Sequence, residues 1–112
     1  KLAICTGSSS AEVSAALKKA KTKNLESYFD TVVTFEDVKK GKPDPEGYLL
    51  AAKRLAVLPE RCLVFEDSPA GIKAAKAANM TVFALSTTCT KEQLSQADRV
   101  YNSMKSFVLP KC

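Results

Sequence analysis

The 112 residues include no histidine and no tryptophan. Without imidazole, and with its four cysteines (Cys5, Cys62, Cys89 and Cys112) far apart and never in a C-x-x-C pair, the chain offers no ordinary zinc ligand set. Arginines are few, so the forked phosphate contacts and aromatic stacking that favour nucleic acid are missing, and no nucleic-acid partner is expected. No apolar run reaches the length needed to span a membrane. The start, "KLAICTGSSS", has one basic residue and a short apolar segment that passes straight into a helical pattern. It therefore reads as a core strand and not as a leader. Low-complexity segments, linkers and repeats beyond a strand–helix unit are also absent.

What is present is globular in character. The chain is 46% hydrophobic and 26% charged, close to the average of folded domains, and its length suits one domain or part of one. The net charge of +5 comes from lysines such as Lys18, Lys19, Lys21, Lys23, Lys39, Lys40, Lys73 and Lys76. Most fall on polar helix faces, where they solvate the surface and weakly attract anionic substrates. Cys5 and Cys62 lie in apolar runs, where a free thiol acts as a small hydrophobe. Such usage suits a reducing compartment, and a cytoplasmic location is expected.

Strand-like and helix-like runs alternate. "LAICT", "TVVTF", "CLVFE", "TVFAL" and "RVY" read as strands. "AEVSAALKKA", "PEGYLLAAKRLA", "PAGIKAAKAAN" and a short segment near "KEQLSQA" read as helices. Val13, Ala16, Leu17 and Ala20 form one apolar stripe. Near-continuous apolar strands imply a parallel sheet with helices on both faces. Ser68 and Pro69 read as N-cap and first helical residue, Asp44 and Pro45 repeat that device, and Asn79 reads as a helix stop.

Ligands of such folds gather at the carboxyl ends of the strands, and three polar groups fall there. In "CTGSSS", Thr6 offers a hydroxyl while the Gly7 and Ser8 amides precede a helix, a setting that favours phosphate; the plainer reading is a capped serine-rich turn. In "GKPDP", the following proline holds Lys42 on a stiff extended backbone, and Gly41 permits a close approach. An ammonium about 4 Å from a phosphate attracts it by roughly 4 kcal/mol at an effective dielectric of about 20, before desolvation. The plainer reading is a surface turn. In "CLVFEDSPAG", an apolar strand ends in Glu66 and Asp67, adjacent acids that repel unless a cation compensates them. Oxygen ligands without histidine suit Mg²⁺; the plainer reading is an acidic helix cap.

The ordered set resembles the haloacid dehalogenase (HAD) superfamily, in the branch that contains β-phosphoglucomutase and small sugar-phosphate or nucleotide phosphatases. "ICTGSS" is similar to its second motif, "GKPDPEGY" to its third and "VFEDSPAGIKAAKAANM" to its fourth. The resemblance implies a Rossmann-like core and a phosphoryl-transfer enzyme acting on a small phosphorylated metabolite. By it, Thr6, the Gly7 amide and Ser8 would bind the transferred group, Lys42 would neutralise its charge, and Asp67, with Glu66 beside it, would hold Mg²⁺. The family's nucleophile and general acid stand in a D-x-D motif on an earlier strand, central in the sheet, with a substrate-selecting cap after it. The aspartates here (Asp30, Asp37, Asp44, Asp67 and Asp98) include no such pair. Residues 1–112 are therefore expected to be the C-terminal portion of a single HAD-like core domain, without the nucleophile strand and cap, inactive alone and completed by an N-terminal segment of a parent chain.

Other readings make different demands. A mutase of the β-phosphoglucomutase type would share every residue above. A non-catalytic fragment or binding module would expose two apolar strand edges. A phosphoacceptor receiver domain would place its acids first and its lysine last, the reverse of the order here. Plain dinucleotide binding would need G-x-G-x-x-G, and a Walker loop would need Gly-Lys-Ser/Thr; neither occurs.

Overall fold

The computed structural model describes residues 1–106. Strands and helices alternate as β1 (Ala3–Cys5), α1 (Ser10–Lys19), β2 (Thr31–Val33), α2 (Glu46–Leu55), β3 (Leu63–Glu66), α3 (Pro69–Ala77), β4 (Thr81–Leu85) and β5 (Arg99–Tyr101). β1 pairs with β2, β3 with β4 and β4 with β5, and every pairing is parallel. The α/β class read from the sequence is therefore the observed one. The strands form two separate sheets, β1-β2 and β3-β4-β5. β1 and β3 do not pair with each other. α2 links the halves, packing on β1, β2 and α3.

The ends of the helices follow from local chemistry. Ser9 caps α1 by accepting the Glu12 N–H. Ser68 caps α3 by accepting the Gly71 N–H, with Pro69 opening the helix, and Asn79 leaves it in the left-handed region at φ 63°. α2 starts one residue later than the sequence suggests. Asp44 Oδ1 accepts the Glu46 N–H at 3.0 Å, so Asp44 still satisfies a free amide of the first turn. Ala56 closes that helix at φ 56°, where glycine or asparagine is the usual choice.

The core joins Tyr48 and Ala52 of α2 to Val64, Val82 and Ala84 of the larger sheet and to Ile72, Ala74 and Ala75 of α3. Alanines on the inner face of α3 let its backbone lie close to β4, whose Val82 and Ala84 are fully buried. α1 is less covered. Val13, Leu17 and Ala20 are half-buried and Ala16 is exposed, and a hollow of ≈ 510 Å³ lies against Val13, Leu17 and Val32.

The segment near "KEQLSQA" forms turns instead of the expected helix. Its N–H groups reach back irregularly, Leu94 to Thr90 O at 3.2 Å and Ala97 to Leu94 O at 3.1 Å. Insertion of Leu94, fully buried, fixes this piece where so short a helix has little stability of its own. Cys5, Cys62 and Cys89 are free thiols of intermediate burial; Cys112 lies outside the described residues. Among those residues no helix is long and apolar enough to cross a membrane.

Candidate functional site

The carboxyl ends of β1 and β3 meet at Lys42. Its Nζ donates to the Cys5 carbonyl at 3.2 Å and to Glu66 Oε2 at 2.6 Å. The backbone that carries it turns before α2, with a cis Lys42–Pro43 peptide. Gly41 has an ordinary φ and open space around it, so the fold itself does not require glycine there.

Glu66 ends β3 and is buried, with 7% of its surface exposed. A carboxylate so placed needs compensation, and four donors supply it. Lys42 and the Tyr48 hydroxyl donate to Oε2; the Asp67 N–H at 3.3 Å and the Ser68 hydroxyl at 3.4 Å donate to Oε1. Burial, and then the bond to Glu66, push the Tyr48 phenol far above its usual range, so it stays a donor. The Tyr48 ring centroid lies 5.0 Å from Lys42 Nζ, within cation–π reach. Gly71 makes room for the carboxylate, because a Cβ there would fall 2.0 Å from it.

Asp67 is exposed, and among the described residues nothing donates to its carboxylate. The two acids read together from the sequence thus have separate surroundings: Glu66 grips the lysine, and Asp67 faces outward. No group of three or more His, Cys, Asp or Glu that could hold a metal occurs among the described residues. One free carboxylate at a strand end still suits Mg²⁺, which commonly takes one or two protein carboxylates and fills its shell with water and phosphate.

The Thr6–Ser8 turn follows β1. Thr6 N–H completes the ladder to Val33 O at 3.0 Å, and Thr6 Oγ1 accepts the Ser8 N–H at 3.1 Å. The Ser8 amide is thus turned inward, whereas the Gly7 N–H has no partner among the described residues. The start of α1 is already served by a carboxylate, since Glu36 accepts the Ser10 N–H with both oxygens at 3.1 Å and the Thr34 hydroxyl at 2.6 Å. These bonds, the Thr34 one first, hold the exposed Glu36 below the usual carboxylate range. Asp37 is lowered chiefly by the Thr34 N–H and then by Arg54.

Between β1 and β3 runs a cleft of ≈ 990 Å³, lined by Leu2, Ala3, Cys5, Tyr48, Leu63 and Phe65 among others. It follows the edges of β1 and β3 that face each other, strands that belong to different sheets among the described residues. Leu2, Leu58 and Phe65 stay exposed along it. Burial raises the Cys5 thiol pKa, with Lys42 opposing, so Cys5 is an apolar wall and a carbonyl acceptor here.

Tyr48, Gly71 and Glu36 were not singled out in the sequence reading. Tyr48 and Gly71 fall inside the helical runs "PEGYLLAAKRLA" and "PAGIKAAKAAN", where nothing in the sequence marks them off from their neighbours. Thr34 and Asp37 have the T-x-x-D spacing of a capping box, and Asp37 Oδ2 accepts the Thr34 N–H at 2.8 Å, but Glu36 between them carries no such mark.

Known proteins carry the same arrangement of sequence. A family model of haloacid dehalogenase-like hydrolases matches residues 1–79. Over 80 residues the chain is 49% identical to a phosphorylated carbohydrates phosphatase of Thermotoga maritima, covering 71% of this chain and 36% of that protein. Over 79 residues it is 47% identical to a fructose-1-phosphate phosphatase of Escherichia coli, covering 70% and 40%. Among solved structures, CbbY from Rhodobacter sphaeroides in complex with phosphate superimposes with TM-score 0.87 at 31% identity, over 95% of this chain and 48% of that one. A β-phosphoglucomutase from Clostridium difficile gives TM-score 0.70 at 33% identity, over 76% and 37%. The chain spans less than half the length of each.

Proposed function

The chain belongs to the haloacid dehalogenase-like hydrolases, in their β-phosphoglucomutase-like branch, and we propose that it forms the phosphate- and metal-handling portion of a Mg²⁺-dependent phosphatase of small phosphate monoesters. Sugar phosphates or nucleotides are the proposed substrates. The observation that carries the reading is Lys42, held by Glu66 where β1 and β3 end, beside the exposed Asp67 carboxylate and the Thr6–Gly7 turn.

In this reading residues 1–112 are the C-terminal portion of one core domain. The apolar cleft between β1 and β3 receives a strand from outside these residues, supplied by an N-terminal segment of the parent chain that also carries the cap. That strand brings the nucleophilic aspartate. A carboxylate oxygen of the aspartate attacks phosphorus, the P–O bond to the substrate breaks, and the alcohol leaves with a proton given by the general acid on the same strand. Water then hydrolyses the aspartyl-phosphate and returns the carboxylate. Lys42 neutralises charge on the transferred group, while the Gly7 N–H and Thr6 hydroxyl orient its oxygens. Asp67 would hold Mg²⁺, which when bound offsets the charge of the phosphoryl oxygens. Glu66, already bonded four times, acts through Lys42 and the Asp67 amide. The 112 residues alone, lacking the nucleophile, release no phosphate. Free, partly buried thiols support a cytoplasmic setting.

A second reading, a phosphomutase that returns the phosphoryl group to another hydroxyl, draws support from the likeness to a β-phosphoglucomutase. It uses the same residues, and the cap decides between the two.

The test is phosphate release from a panel of phosphorylated carbohydrates and nucleotides by the parent protein, with Mg²⁺ and with EDTA. Activity should require Mg²⁺ and vanish in Asp67→Asn. Near-native turnover in that variant removes the metal assignment.

A further inference from the structure

We propose that Tyr48 is a positioning residue of this site, whose hydroxyl completes the hydrogen-bond shell of Glu66 and so fixes the Lys42 ammonium between the ends of β1 and β3. The functional half of this proposal rests on Lys42 facing a phosphoryl group, as set out above.

A carboxylate presents about four acceptor positions on its two oxygens. At Glu66 all are taken: Lys42 Nζ and the Tyr48 hydroxyl share Oε2, and the Asp67 N–H and Ser68 hydroxyl share Oε1. A divalent cation could bind Glu66 only by displacing one of these donors, so direct metal contact falls to Asp67. Tyr48 also touches the lysine itself. Its ring lies 5.0 Å from Nζ, and its side chain is anchored in the core, with 6% of the residue exposed. One rigid side chain therefore restrains the cation through its ring and the counter-ion through its hydroxyl. Lysine is a flexible point charge whose rotamer freedom must be lost before it serves a phosphate. Here that ordering is complete before any ligand arrives, which is how a preorganised charge is most useful to a transition state.

The first readout is the side-chain ammonium resonance of Lys42 in nitrogen-15 NMR of the parent protein, assigned by its disappearance in Lys42→Arg. An ammonium held by fixed hydrogen bonds exchanges slowly enough to be seen. We expect the signal in the wild type and its loss in Tyr48→Phe and Glu66→Gln, with the remaining spectrum native. Persistence in Tyr48→Phe overturns the proposal. In the wild type itself the Tyr48 hydroxyl proton should appear as a slowly exchanging downfield signal, and its absence overturns the proposal without any variant.

The second readout is titration with inorganic phosphate. Tyr48→Phe should weaken binding by about fivefold, the effect of losing one ordinary hydrogen bond. The double variant Tyr48→Phe/Glu66→Gln should bind no more weakly than Glu66→Gln alone, because one residue acts through the other. A double variant weakened by the product of the two single effects overturns the positioning role. If phosphate distinguishes none of the variants, Lys42→Ala included, while the ammonium signal is still lost in Tyr48→Phe, the positioning role stands and the phosphate reading of the site falls.

Discussion

The Cβ that Gly71 lacks would stand 2.0 Å from the carboxyl carbon of Glu66. The first turn of α3 and the end of β3 are therefore fitted to each other, and the ion pair with Lys42 depends on that fit. In Gly71→Ala the helix gains up to about 1 kcal/mol of propensity, but the carboxylate must leave its donors or the helix must shift. The clash wins, because overpacking a rigid site costs about 1–3 kcal/mol and stranded donors add to it. Urea denaturation should show a net loss of about 1–3 kcal/mol. Gly7→Ala, whose new methyl meets nothing within 4 Å, should stay within about 0.5 kcal/mol of the wild type. Equal stability of both variants would contradict the fit.

Ser68 joins the same junction from the other side, accepting the Gly71 N–H at 3.1 Å and donating to Glu66. Ser68→Ala removes the cap and one donor of the buried carboxylate, and should cost about 1 kcal/mol in chemical denaturation. No measurable loss would mean that water serves both groups equally well.

Leu94 sits on a stretch of turns, yet it is fully buried against the α3 and β4 core. Leu94→Ala should lower stability by about 2–5 kcal/mol, as for other large-to-small changes in a packed core. A loss under about 1 kcal/mol would show that the turns collapse readily onto the vacated space.

Asp98 fastens β4 from the partner loop, accepting the Val82 N–H at 2.7 Å and Lys76 Nζ at 3.0 Å. These contacts, the amide first, lower its pKa from the ordinary carboxylate value. A group whose folded pKa is depressed stabilises above its unfolded pKa, near 3.9 for aspartate, and loses that contribution as pH falls through the folded value. Stability should therefore decline below about pH 4 more steeply in the wild type than in Asp98→Asn. At neutral pH the variant should be weaker by about 1 kcal/mol. Parallel acid limbs in urea melts across this range would contradict the assignment.

Much of the fold was readable because its signals are local. "TVFAL" is β4 residue for residue, and Ser68, Pro69 and Asn79 mark the ends of α3 as their side-chain and backbone chemistry requires. The division into two sheets was not readable as such, since which strands pair is a relation between distant segments that no apolar run records. The site divides in the same way. Lys42 and Asp67 declare themselves through a proline neighbour and a strand end. Glu66 gave no sign that it serves the lysine, because the two lie 24 positions apart and meet only once α2 has packed. Tyr48 has the hydropathy of a core residue, and only its contacts reveal that the hydroxyl is bonded. Ala56 ends α2 in a conformation its side chain does not favour, so that boundary carried no mark.

The central claim is that Lys42 is held in advance for a transferring phosphoryl group. It is tested most directly by steady-state hydrolysis of a phosphate monoester by the parent protein, wild type against Lys42→Ala, in saturating Mg²⁺. Loss of a preorganised charge should lower kcat by a factor of about 10²–10³, in addition to the rise in KM of about fivefold or more that weaker phosphate binding brings. A rise in KM with kcat intact would mean that Lys42 binds substrate and transition state alike, and its proposed catalytic role would fall.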